Sequence, residues 1–522
     1  MNRRKEIFIL FAGFFSIFIF SVTITSILLF SSWIYALVIG ALWYFISIII
    51  AFYILNSTRR IVNVRMCWIF VILGIPILGL SIFLLFGINP LIRLRQKTYL
   101  QHQEELTQFE NFEFSHKYFQ DPNQDINYRQ IFRYGYNCET RPVYQNNDIQ
   151  VIENQSHLFR ESIKLIRSAK LFIHLQYYII SDSVWMRTIA NELIKKARTG
   201  VRVRFIYDWV GSYKRDTQKI IKKLKEAGII VAIFNPKTVT RYTSKTNFRC
   251  HRKCLIVDNH TAIYGGSNLG DEYIRLAPNI INWEDSNIVV KGQVVNTLNL
   301  LFCLDWGTYC EIGRNQKHLD DLKENRKKYF PKYEVQHIQP TIAQVIEKSP
   351  NYDSFELSGL LSTIIARAKK RIWIVTPYFI PTDSIIEALK VASLSGVDVR
   401  IIVPGLPDDK KYILTINRFH YDRMLNSNIK IFEYNGFIHS KLILIDDAFV
   451  SIGTFNFDFR SLYINYESAL LVKDNAIASQ YEKVFKNYLR QSSLININTF
   501  TPGQKRIIRF KMAFMNAYHP LL

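Results

Sequence analysis

The sequence predicts an α/β protein in which N-terminal transmembrane helices precede two duplicated αβ lobes that form one composite site. Three observations carry this. No charged residue occurs from Ile7 to Leu55. Further on, strand-like runs alternate with helix-length amphipathic runs, twice over. Finally, His251-Arg-Lys253-Cys-Leu-Ile-Val-Asp258 returns 188 residues later as His439-Ser-Lys441-Leu-Ile-Leu-Ile-Asp446.

The apolar block is long enough to cross a hydrocarbon core twice at about 20 residues per span. Ser31-Ser32 is the turn between 7–30 and 33–55, and a third apolar run, 68–88, follows Arg59, Arg60 and Arg65. A cleaved leader would account for one such segment and leave two behind, so residues 1–97 read as a membrane anchor with about three hydrophobic segments. Arg3, Arg4 and Lys5 at one end, with Arg59, Arg60 and Arg65 at the other, put both ends of the first hairpin on the cytoplasmic side. Two topologies stay open. If 68–88 spans, the large domain lies outside, against the preference of Arg93, Arg95 and Lys97. If Gly74, Pro76 and Gly79 break the run into a re-entrant hairpin, the domain lies inside.

A formal net charge of +23, mostly outside the apolar runs, selects an anionic partner. Acidic lipid headgroups come first and nucleic acid second, although positive-inside topology supplies part of the excess. The six cysteines follow no framework spacing. Cys250 and Cys254 flank His251, but without a second cluster they read as packing positions, so neither disulfides nor a metal are expected.

Residues 98–150 are polar and aromatic with little periodicity and read as a connecting region. The first lobe is assigned to 151–310, with strands over 171–179 and 200–207 and a helix over 184–198. A charged linker, 311–350, leads to the second lobe, 351–522, with strands over 371–377 and 396–403 around a helix over 384–395. Within these, 177–182 matches 378–383 in shape. The alternation predicts a largely parallel sheet in each lobe. Each His-x-Lys-x4-Asp phrase runs into a strand, and period-2 geometry sets its His and Lys on one side. Gly265 and Gly453 suit tight turns that bring Asn268 and Asn456 back to the same edge.

The recurrence of five unlike residues at fixed offsets outweighs the ordinary reading of each one: a core His, a solvated Lys, a turn Gly. Two lysines neutralise phosphoryl oxygens and two asparagines add donors. Two imidazoles, with an ordinary pKa of about 6.5, serve as nucleophile and proton donor. That set suits covalent displacement at a phosphodiester. A histidine used this way needs a carboxylate on its other ring nitrogen. Asp285 and Glu467, each beside an apolar strand-like run, fit. Asp258 and Asp446 complete the candidate set, although local shaping of the fold is the simpler role for both.

The two His-x-Lys-x4-Asp-x6-Gly-x2-Asn phrases resemble the signature of the phospholipase D superfamily. Tyr207-Asp-Trp-Val-Gly-Ser212, Arg249-Cys-His-Arg-Lys253, Thr376-Pro-Tyr-Phe-Ile-Pro381, Asn456-Phe-Asp-Phe-Arg-Ser461 and the terminal Pro520-Leu-Leu are similar to bacterial cardiolipin synthases within it. The resemblance implies two phospholipase D-like lobes and a cofactor-free, metal-free phosphatidyl transfer in the cell membrane. Phosphatidylglycerol and anionic membrane lipid would be the partners, and nucleic acid would not. His251 or His439 becomes the phosphohistidine, the N-terminal one by family habit. Lys253, Lys441, Asn268 and Asn456 hold the phosphate. A third apolar segment departs from relatives with two. A hydrolase or a transferase to another alcohol is the alternative, and intact motifs argue against a non-enzymatic scaffold. Phe510, Ala513, Phe514 and Ala517 recur at helical spacing among Lys505, Arg506, Arg509 and Lys511, which suits either an interfacial helix or one packed on the second lobe.

Overall fold

The computed structural model describes residues 33–57, 62–87, 90–139, 141–235, 248–276, 282–310, 324–331, 341–350, 356–407 and 412–518. The expected first span, Arg3 to Lys5, Arg59 and Arg60, the side chains of Arg93 and Arg95, and Pro520-Leu-Leu lie outside the described residues.

Trp33–Leu55 is a 23-residue helix without a charged side chain. Counting only described residues, no helix is long and apolar enough to cross a membrane. The third apolar segment is not one helix. Val62–Gly74 ends at Ile75, whose φ of −136° is not helical, and Pro76–Ile82 starts a new helix. The chain turns back there, because Trp68 and Phe83 meet edge to face at 5.3 Å. In one straight helix, 15 residues would separate them by about 22 Å. A side chain at Gly79 would strike the carbonyl oxygen of Val71, so the close return requires glycine.

Each lobe is built on a mixed sheet, not the largely parallel one expected. In the first, the spatial order is Asp148–Ile152, Asn287–Lys291, Thr261–Gly265, Cys254–Val257, Phe172–Tyr177, Arg202–Asp208 and Ile230–Phe234. Only the last three run parallel. In the second lobe, Arg371–Val375, Asp398–Pro404 and Lys430–Tyr434 form the matching parallel part. The cause is local: the strand following each His-x-Lys turns straight back on itself, and Asp258 and Asn259 at that turn have φ of 53° and 56°. A hairpin makes antiparallel neighbours, whereas helix crossovers make parallel ones.

Two domain boundaries move. Asp148–Ile152 is an edge strand of the first sheet, paired with Asn287–Lys291, so residues 148–150 belong to that lobe. Ile342–Lys348, assigned to the linker, is an edge strand of the second sheet, paired with Glu467–Lys473. The connecting region is structured too. Its helix Ile126–Glu139 buries Ile131 and Phe132 against Leu357, Leu360 and Leu361. The match of 177–182 to 378–383 is also displaced by two residues: Phe172 corresponds to Arg371, since each gives its backbone N–H to its lobe's motif Asp. Tyr177 therefore corresponds to Thr376.

The lobes share one apolar core. Ile256, Tyr264 and Ile288 of the first sheet and Leu444, Ile452 and Leu470 of the second are buried in it, together with the helix Val294–Tyr309. Every residue of that helix is buried, its polar Asn296, Asn299 and Asp305 included. The basic C-terminal helix Pro502–Tyr518 rests on the second lobe: Lys505 and Arg509 pair with Asp422 at 2.9 and 3.3 Å. Of the two anticipated characters the packed one is present, and Ile507 and Phe510 remain exposed.

Candidate active site

The motif histidines stand just before the strands Cys254–Val257 and Leu442–Ile445, where two backbone contacts stitch the lobes together. His251 N–H donates to the carbonyl of Tyr466 at 2.8 Å, and His439 N–H to that of Glu284 at 2.6 Å. A two-stranded parallel sheet, Trp283–Glu284 with Phe437–Ile438, reinforces the second contact. Each contact delivers a carboxylate from the opposite lobe. His251 Nδ1 lies 2.9 Å from Glu467, and His439 Nδ1 lies 2.7 Å from Asp285. Each pairing favours the Nδ1–H tautomer and leaves Nε2 for chemistry.

The two carboxylates are held differently. Glu467 accepts from Thr454 Oγ1 at 2.6 Å, Ser461 Oγ at 2.9 Å and Asn465 Nδ2 at 3.2 Å. Burial pushes its pKa up, but the His251 pairing, the Lys253 charge and the Thr454 hydroxyl hold it below the usual value. Asp285 accepts the backbone N–H of Ser286 at 2.8 Å. Where the second lobe has Thr454, the first has Gly266, and a Cβ there would strike Asp285. His439 is instead walled by rings, with Tyr273 and Trp283 each 5.5 Å away and Phe437 at 6.1 Å. Tyr178 meets His251 edge-on at 5.3 Å.

Lys253 and Lys441 each turn an ammonium back onto the carbonyl of their own motif histidine. Lys441 Nζ also lies 2.9 Å from His439 Nδ1. Burial pushes Lys253 down to about 7 and Lys441 to about 8, opposed by Glu467 and Asp285. Burial and then the Lys441 charge lower His439 to about 3; His251 is also lowered, by burial, against the pull of Glu467. Lys441 acts on His251 and Lys253 acts on His439, so the two motifs share one electrostatic site. An anion between the lysines would reverse these shifts, because it stabilises the charged forms.

A pH dependence follows. A lysine with a lowered pKa loses its charge as pH rises through the lowered value, so the cationic cradle weakens from about pH 7 upward. KM for an anionic phosphodiester is expected to rise roughly tenfold between pH 7 and 9, the scale of one lost charge-assisted hydrogen bond, with a smaller change in kcat. Initial rates in mixed micelles test this; a KM that stays flat to pH 9 contradicts it.

Asn268 is buried beside this site, donating to Tyr273 Oη at 2.7 Å and accepting from Ile179 N–H at 3.1 Å. Asn456 donates to Asp458 at 3.2 Å. The expectation for Asp258 and Asp446 as catalytic groups is corrected, because both lie at the far end of the motif strand from His and Lys. Asp258 accepts the N–H groups of Lys170, Leu171 and Phe172 at 2.7–2.8 Å. Asp446 accepts those of Lys369, Lys370 and Arg371, the shortest at 2.7 Å. Each carboxylate starts the neighbouring strand.

Sequence reasoning missed the charge network beneath His251. Arg252 places one guanidinium nitrogen 2.7 Å from both oxygens of Asp305 and the other 3.0 Å from Glu347. Glu347 also receives Arg141 at 2.7 Å and the Tyr99 hydroxyl at 2.6 Å, and Arg141 reaches Glu110 at 3.2 Å. All five charged side chains are buried. Asp305 stands in the sequence as a lone charge in an apolar run and Arg252 within the first motif, but no spacing ties either to Glu347.

The comparisons with known proteins agree with this geometry. The model of the family described as "Cardiolipin synthase, PLD-like domain" matches residues 162–306 and 361–489. A "Cardiolipin synthase" of Clostridium perfringens (strain SM101 / Type A) is 34% identical over 447 residues, covering 85% of this chain and 91% of its own. The "Major cardiolipin synthase ClsA" of Bacillus subtilis (strain 168) is 32% identical, covering 85% and 90%. Among solved structures, a phosphatidylserine synthase from Haemophilus influenzae Rd KW20 shares the fold with a TM-score of 0.56 at 14% identity, over 75% of this chain and all of its own. With one phospholipase D-like half-site in each lobe and relatives matched over most of its length, the chain belongs to the cardiolipin synthase family.

Proposed function

We propose that the protein is a membrane-anchored cardiolipin synthase that moves a phosphatidyl group from one phosphatidylglycerol to another, releasing glycerol. The observation that carries this reading is the pair of His–carboxylate couples, each closed across the lobe interface with a lysine beside it. Nε2 of one imidazole attacks phosphorus, the P–O bond to glycerol breaks, and the departing oxygen takes a proton from the other imidazole. The hydroxyl of the second phosphatidylglycerol then gives its proton to that imidazole and attacks phosphorus as the P–N bond breaks. Lys253, Lys441, Asn268 and Asn456 hold the phosphoryl oxygens, and Glu467 and Asp285 orient the rings. Family resemblance makes His251 the nucleophile. Purified protein given labelled phosphatidylglycerol is expected to form a four-chain lipid and glycerol without added metal. Phosphatidic acid as the sole lipid product would move the reading to a hydrolase.

The lobes are assigned to the cytoplasmic side of the bacterial cell membrane, with nucleic acid outside the set of partners. Exposed Leu42, Phe45, Ile49 and Phe52 on the first described helix support an apolar surround. The return of the chain between Trp68 and Phe83 supports a re-entrant third segment, which leaves the lobes on the side of the basic residues. Lys164 is well exposed on the first lobe. Lys164→Cys is expected to react with a membrane-impermeant maleimide only after cells are permeabilised; labelling of intact cells would reverse the assignment.

A further inference from the structure

We propose that the end of the two lobes carrying both motif histidines is a docking face for an anionic bilayer surface, held by exposed apolar side chains of both lobes and by the basic C-terminal helix. This deepens the proposed transfer by a membrane-anchored protein and rests on it. A two-chain lipid whose phosphodiester reaches an imidazole keeps its acyl chains out of water only where that end meets the bilayer. Each methylene left in water carries a hydrophobic cost.

Strand pairing defines the end in question. Gln176 pairs with Cys254 and Val375 with Leu442, so both motif histidines lie at the C-terminal ends of the parallel strands. The N-terminal arm leaves from the same end. Its helix Pro90–Thr107 runs antiparallel to Val294–Tyr309. Asn296 donates to the carbonyl of Phe109, just past the arm helix, at 2.9 Å, whereas His102 meets Thr308 at 3.1 Å and Tyr99 stacks on Tyr309 at 6.1 Å. The Tyr309 carbonyl accepts Asn235 N–H at 3.3 Å, just past the parallel strand Ile230–Phe234, so Tyr309 is at the histidine end. From Tyr99 the arm helix continues about 14 Å further outward to Pro90. The apolar hairpin therefore joins the lobes on the side of the site.

Three loops of the two lobes expose apolar side chains there. Val210 and Tyr213 follow the strand Arg202–Asp208, and Ser212 between them accepts Ile180 N–H at 2.9 Å, beside the Tyr178 ring that meets His251. Leu276 follows Tyr273, which borders His439 at 5.5 Å. Leu406 N–H donates to the carbonyl of Gly436 at 3.1 Å, on the segment that leads to His439. These four side chains are between 41% and 64% exposed. One exposed leucine is ordinary, but a set ringing one site beside exposed cations fits a lipid surface. The C-terminal helix supplies the cations. Its anchor Asp422 adjoins Arg423, which pairs at 2.8 Å with Asp383, the residue that opens the helix Asp383–Leu394 at the histidine end. Arg506 and Lys511 of that helix are exposed, and their charge complements acidic headgroups.

The test uses full-length protein in vesicles of phosphatidylglycerol and phosphatidylcholine, with the partly buried Cys67 and Cys138 replaced by Ser. A polarity-sensitive fluorophore is placed at Tyr213→Cys, at Leu406→Cys, or at Lys164→Cys. Lys164 lies on the helix that leads into the start of strand Phe172–Tyr177, at the opposite end. Nitroxide-bearing lipid is expected to quench the first two probes at least about threefold more than the third. Arg506→Gln with Lys511→Gln, or 1 M salt, is expected to reduce that quenching about twofold or more, since the headgroup attraction is electrostatic. Equal quenching at all three sites overturns the face. Probes shielded from water yet not quenched assign it to a second copy and overturn it as well. The readout needs no turnover, so a hydrolase outcome in the lipid assay leaves it intact. Protein that fails to float with the vesicles overturns the anchored reading and the face together.

Discussion

His251→Ala and His439→Ala are each expected to cut cardiolipin formation by at least about 10³-fold, the combined scale of nucleophilic and acid–base catalysis. The two losses should differ in kind. With a p-nitrophenyl phosphodiester the leaving group departs without a proton, so the variant lacking the acid keeps a burst of nitrophenol equal to the enzyme present. The variant lacking the nucleophile gives none. If His251 is the nucleophile, His439→Ala retains the burst. Full activity in either variant would remove the composite site. Circular dichroism separates chemistry from folding, since His251→Ala leaves Glu467 with three other side-chain donors. Loss of His439 leaves Asp285 less supported, and the larger drop in Tm is expected there.

The second large effect is on stability. Glu347→Ala is expected to destabilise the protein by about 3–5 kcal/mol, the usual cost of removing one partner from a buried ion pair. It removes the carboxylate that Arg141 and Arg252 share and to which the Tyr99 hydroxyl donates. Although burial pushes the Glu347 carboxyl up, the two guanidinium groups hold it below the usual range, so this link stays ionised at neutral pH. Because Arg252 adjoins His251, activity is expected to fall well before unfolding. A urea midpoint within error of wild type would show that the network contributes nothing net. Tyr99 lies on the helix Pro90–Thr107, which leads out of the apolar hairpin, so the same network ties that N-terminal arm to the catalytic strand.

Much of the fold was legible because it is locally encoded. Strand Phe172–Tyr177 lies inside the expected 171–179, and helix Val184–Arg198 coincides with the expected 184–198, because apolar periodicity is a property of neighbouring residues. The errors differ in origin. Asp148–Ile152 and Ile342–Lys348 are edge strands whose partners lie more than 100 residues away, so neither had a local hairpin or crossover to announce it. The mixed sheets were misjudged because alternating strands and helices announce crossovers, whereas the turn at Asp258 is marked only by two left-handed residues. The shape match between 177–182 and 378–383 slipped by two because Tyr and Ile recur there; the Asp258 and Asp446 anchors set the true register.

The sequence alone determined the chemistry: two imidazoles, two ammonium groups and two amides, duplicated at offsets that chance does not explain, with two spare carboxylates downstream. Only the tertiary structure decided who serves whom. Each carboxylate crosses to the histidine of the opposite lobe, through pairings between residues 250 and 466 and between 283–284 and 437–438. Such contacts depend on how two finished sheets pack, and no periodicity within one chain segment records that. Neither lobe can therefore orient its own imidazole, and a working site exists only when both have folded together.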